Sequence, residues 1–149
     1  MMIASVAGCA ASPDETPVSD GANLTYAESY GFCAARCFRQ LSVQPDGLGI
    51  VTILDSVTGP VVAVRTFHLT DAELQQLNDE VATAASHDWE PVYGCPDCAD
   101  QGTFEIILRG DGSDERKTVI DPMAHPAFFD DLLDHLRALL VQPSAAATL

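Results

Sequence analysis

Basic residues are scarce in this chain: a single lysine, Lys117, and six arginines stand against 22 acidic residues, for a net charge of −15. That balance argues against nucleic acid as a partner, because phosphate backbones are bound through clustered Lys and Arg that release counterions. Long apolar runs are missing too. The richest, "FFDDLLDHLRALLV", is interrupted by Asp130, Asp131, Asp134, His135 and Arg137, whereas a membrane-spanning helix needs about 20 mostly apolar residues. Absent as well are a Gly-x-Ser-x-Gly elbow, a His-Glu-x-x-His pair and a phosphate-binding glycine loop. With no acid, base or nucleophile constellation to name, the sequence reads as that of a non-catalytic protein.

What is present suffices for one domain. The chain has 149 residues, 47% of them hydrophobic, with periodic segments between Leu24 and Val141, so global disorder is excluded. The acids are spread over loops and helices, as on a solvated surface that suits solubility or a cationic partner. Three regions follow: 1–22 as a truncated lipoprotein signal and flexible tether, 23–142 as a single α+β domain, and 143–149 as a disordered tail. Val6-Ala7-Gly8-Cys9 resembles the aliphatic-small-small-cysteine lipobox of bacterial lipoprotein precursors. The resemblance implies lipidation of Cys9, a membrane anchor and an extracytoplasmic location in the cell envelope. Ala10 after the cysteine implies sorting to the outer membrane if the host has one. Upstream, "MMIASVAG" lacks a basic residue and a full signal core, which a start codon placed too far downstream would explain. The stretch "AASPDETPVSDGAN" has the composition of a tether.

Segments 23–29, 38–44, 49–55 and 61–67 alternate as strands, joined by the turn-forming "CAARC", "PDGL" and "SVTGP". They predict a four-strand antiparallel meander. Thr70 and Glu73 form a capping box with Leu69 and Leu74 at staple positions, which starts a helix over 71–86 with Leu77, Val81 and Ala84 on its apolar face. "TFEIILRG" and "ERKTVID" predict a two-strand hairpin. A last helix follows Pro126, its apolar face running from Phe128 to Leu140, and stops at Pro143. The expected fold is α+β: meander, helix, hairpin, helix, with both helices packed on one face of the sheet.

The order "LTYAESYGF", "LSVQPDG", "DSVTG", "HLTDAELQQL", "CPDC", "TFEIILRGDG" and the leucine helix resembles small bacterial envelope or secreted lipoprotein-like domains of uncharacterised function. It is also distantly similar to emfourin-type inhibitors of thermolysin-like metalloproteases. The second likeness implies a protein inhibitor of an extracellular protease, with no inhibitory segment that can be placed on particular residues.

Cysteines carry the sharpest local signals. Setting Cys9 aside leaves Cys33, Cys37, Cys95 and Cys98, an even number in two short-spaced pairs, as structural disulfides in an oxidising compartment require. The alternative is zinc held by the same four thiolates, since two short knuckles can close a tetrahedral site. Thioredoxin-like chemistry is disfavoured because the segment after Cys98 leads into a strand rather than a helix. Asp131 and His135 lie one turn apart on a face expected to be solvated. His68, His87 and His125 are expected at element ends. Asp111 and Asp114 lack the spacing of an EF-hand calcium loop, and Arg109-Gly110-Asp111 reads as part of a hairpin turn. The functional expectation is a lipid-anchored, extracytoplasmic, non-catalytic binding domain, with a protein as the further partner. The protease inhibitor and the zinc-stabilised domain are the alternatives.

Overall fold

Period-two alternation becomes a single seven-stranded sheet in the computed structural model, which describes residues 23–31, 36–96, 98, 101–110 and 114–142. The strands are β1 (Asn23–Ser29), β2 (Phe38–Val43), β3 (Leu48–Leu54), β4 (Val61–His68), β5 (Val92–Tyr93), β6 (Thr103–Arg109) and β7 (Glu115–Ile120). Helix α1 (Asp71–Ala85) follows β4, and α2 (Asp130–Val141) ends the described chain after a 3-10 turn at Ala127–Phe129. The α+β class holds. The proposed signal, tether and tail, 1–22 and 143–149, lie outside the described residues.

Strand order is β4-β3-β2-β1-β6-β7-β5. The four-strand meander forms, and most of the expected "CAARC" turn, 33–35, lies outside the described residues; in the β2–β3 turn Asp46 accepts from the Leu48 amide at 3.0 Å, and Gly47 takes a left-handed φ of 83°. The β6–β7 hairpin continues the sheet from β1 rather than from β4, so β1 becomes a central strand. Strand β5 was not expected. Two residues after Pro91 give no periodicity to read, and β5 runs parallel to β7, so the sheet is not wholly antiparallel.

Residues of one parity form the helix-bearing face, where Tyr26, Leu41, Val51, Ile106 and Ile120 are buried against Leu77 and Ala84 of α1 and Leu132, Leu136 and Leu139 of α2. Both helices therefore cover the same face. Neither has a basic residue in its last turn, yet exposed C-terminal carbonyls need donors. The sheet supplies them. Arg116 of β7 donates to Ala85 O at 2.7 Å, and Arg65 of β4 donates to Leu139 O at 2.8 Å.

Candidate functional site

The same alternation that buries Leu24 and Tyr26 also buries Glu28, whose side chain is 2% exposed. Its carboxylate accepts from Tyr26 Oη at 2.9 Å, Arg39 Nη2 at 2.7 Å and Tyr30 Oη at 3.3 Å, with Arg137 Nε at 3.5 Å. Burial, then the adjacent Glu28 charge, pushes the Tyr26 phenol well above the usual tyrosine range. An acid in phase with core residues was the available sign of this network.

Asp121, 4% exposed at the end of β7, organises the second cysteine loop. Its carboxylate accepts from Gln101 Nε2 at 2.7 Å, Met123 N at 2.8 Å and Cys95 N at 3.1 Å. Gly94 sits against it with φ of 72°, where a Cβ would come within 2.5 Å of Asp121 Cβ. Cys95 and Cys98 are joined by a disulfide at the protein surface. Cys37 is disulfide-bonded as well, while Cys9 and Cys33 lie outside the described residues. A bonded pair has no thiolate to give a metal, so the four-thiolate zinc arrangement belongs to the reduced chain. Among the described residues no cluster of His, Cys, Asp and Glu could hold a metal ion.

Between α1 and the start of α2 lies a cavity of about 450 Å³. Gln75, Gln76, Asp79 and Glu80 of α1 form one wall, and Phe128, Asp131 and Leu132 form the other with the floor. His87, just beyond α1, stacks on Phe128 at 4.2 Å and fixes the ring. Trp89 donates to Ala84 O at 2.8 Å and meets Phe129 edge-on at 5.3 Å, which holds the 3-10 turn in place. Position 135 departs from expectation. His135 does not stand on a solvated face beside Asp131; it is 14% exposed, and its Nδ1 lies 2.7 Å from Glu80 Oε2. The reason is tertiary: α1 crosses beside α2 and presents Glu80 there. Glu80 also accepts from Gln76 at 2.8 Å, so its oxygens are occupied. Asp79 and Asp131 are exposed, and their carboxylates have no partner among the described residues.

His68, His87 and His125 lie at element ends, as expected. His125 Nε2 reaches Asp130 at 3.1 Å. Arg109 pairs with Glu115 at 2.7 Å across the β6–β7 turn, as hairpin geometry demands. Asp111 lies outside the described residues, and Asp114 is exposed. The cleft thus joins an aromatic and aliphatic floor to two carboxylates with unused acceptors, and among the described residues that line it no nucleophile is paired with a base. No protein-family model matches the chain, and no curated protein matches it.

Proposed function

We propose that the protein is a non-catalytic binding domain, held in the cell envelope through a lipid on Cys9, whose interhelical cleft receives a lysine or arginine side chain of a partner protein. The unpartnered Asp79 and Asp131 carboxylates above Phe128 and Leu132 carry the reading. A long basic side chain satisfies both parts at once: its methylenes cover the apolar floor, and its charge meets the carboxylates. The net charge of −15 supports it by steering basic surfaces toward the molecule. The lipobox resemblance at Val6–Cys9 supports the anchor.

Titration with a short Lys- and Arg-containing peptide tests the cleft. Binding should weaken at least tenfold in Asp79→Asn/Asp131→Asn with helicity unchanged, and equal affinity in that variant defeats the cleft assignment. Palmitate labelling of cells expressing the full upstream reading frame tests the anchor. Label should be lost in Cys9→Ala, and an unlabelled wild type removes the anchor while leaving the cleft result to stand alone.

A further inference from the structure

Positive charge is as unevenly placed as it is rare. Of the six arginines, Arg39, Arg65 and Arg137 converge at one end of the helix-bearing face. Glu28 is the acid that pairs with Arg39 and Arg137. Beside them, between the C-terminus of α2 and strands β2 to β4, lies a cavity of about 400 Å³. Arg39 and Arg65 line it together with Val51, Ile53, Leu140 and Val141, and among the described residues no acid does.

Each guanidinium is only partly used. Arg39 engages Glu28 through Nη2, and Arg65 engages the Leu139 and Leu140 carbonyls through Nη2. A guanidinium has five N–H donors; the Tyr30 hydroxyl also hydrogen-bonds the Arg39 side chain and Arg65 lies over the Phe67 ring at 5.0 Å, so each guanidinium still carries more N–H groups than the hydrogen-bond acceptors that engage it among the described residues. Partial burial also holds the Arg65 guanidinium below its ordinary pKa.

We infer that this pocket binds a small alkyl carboxylate, one carboxylate oxygen on each of Arg39 and Arg65 and the alkyl chain against Val51, Ile53, Leu140 and Val141. The head group follows from donor count: two half-engaged guanidiniums match the two oxygens of a carboxylate, whereas a phosphate monoester brings a third oxygen and nearly a second charge. The tail follows from the walls, which offer four aliphatic side chains and apolar area of the kind that lines small-molecule pockets. The site is separate from the interhelical cleft and opposite to it in charge.

Calorimetric titration of the full chain with octanoate, octanol, octyl phosphate and acetate tests this. Octanoate should saturate one site, with octanol, which lacks the charge, and acetate, which lacks the tail, each at least tenfold weaker. Ala63→Phe fills the pocket from an exposed position on β4 and leaves both arginines intact; it should weaken octanoate at least tenfold, and Arg65→Met should do the same. Arg65 also caps α2, so if Arg65→Met does not fold, Ala63→Phe decides. No saturable octanoate binding at millimolar concentration, octanol binding as tightly as octanoate, tighter binding of octyl phosphate, or full affinity in folded Ala63→Phe would each overturn the assignment.

Discussion

Asp121 shows how much a single buried acid can organise. Three donors, Cys95 N and Gln101 Nε2 from the β5–β6 connection and Met123 N from the turn after β7, meet on its two oxygens. Hydrogen bonds to a charged acceptor contribute more than neutral ones, and a donor stranded in a buried site costs a further desolvation penalty. Replacing one oxygen by an amide sets donor against donor, so Asp121→Asn should lower stability by about 1–3 kcal/mol. It should also loosen the Cys95–Cys98 loop, whose first amide is the one bonded to the carboxylate. Because Cys37 is disulfide-bonded too, alkylation and peptide mass mapping over time in reductant should show faster labelling of Cys95 and Cys98 in Asp121→Asn than in wild type. Equal rates would mean that Gly94 and the disulfide hold the loop without the carboxylate. Glu28 presents the same logic with a different outcome, since its partners are charged and phenolic side chains, and removing Arg39 would leave a buried carboxylate without its shortest contact.

At the scale of elements, the start of α1 is the clearest case of local sequence deciding structure. Thr70 accepts from the Glu73 amide at 3.3 Å, and Glu73 accepts from the Thr70 amide at 2.8 Å. Thr70→Ala should cost about 1 kcal/mol in urea unfolding. The backbone bond from Thr70, then its hydroxyl, holds the Glu73 carboxyl below the usual carboxylate range. A depressed folded value means that the contribution is complete above the unfolded carboxyl pKa of about 4.3 and is lost as pH falls through the folded value. Between pH 5 and 2, Thr70→Ala should shed less stability than wild type, and equal slopes would sink the box as the source of the acid sensitivity. This element was legible because capping chemistry acts over four residues. Strands β1 to β4 were legible for a similar reason, each alternation and turn being local. What stayed hidden depended on residues far apart in the chain: the insertion of β6 beside β1, the two-residue β5, and His135 meeting Glu80 across 55 positions. Asp79 and Asp131 read as ordinary solvated acids until α1 and α2 placed them on one cleft. The arginine pocket was equally illegible, since Arg39 and Arg65 come from strands separated by β3.

The whole molecule is governed by an excess of one charge. Against 22 acids, the ion pairs made by Arg and Lys among the described residues bring together Arg39, Arg109, Arg137 and Lys117 with Glu28, Glu105 and Glu115, and only Glu28 among these acids is buried. Exposed pairs contribute about 0–1 kcal/mol each, so screening them removes little. Repulsion among the remaining acids acts over longer distances, and salt shortens its reach from about 30 Å at 0.01 M to about 10 Å at 0.1 M. Folding compresses those charges, so Tm should rise by several degrees between 10 and 500 mM NaCl, a change of about 1 kcal/mol being worth roughly 2–8 °C for domains of this size range. A flat or falling Tm would show that attractive pairs outweigh the repulsion. The interhelical cleft must respond in the opposite sense, because its attraction for a basic peptide is carried by the same exposed carboxylates that salt screens. Stability and peptide affinity should thus move in opposite directions along one salt series. If peptide affinity is instead indifferent to salt while Tm climbs, Asp79 and Asp131 are solvated surface charges and the cleft recognises its ligand through Phe128 and Leu132 alone.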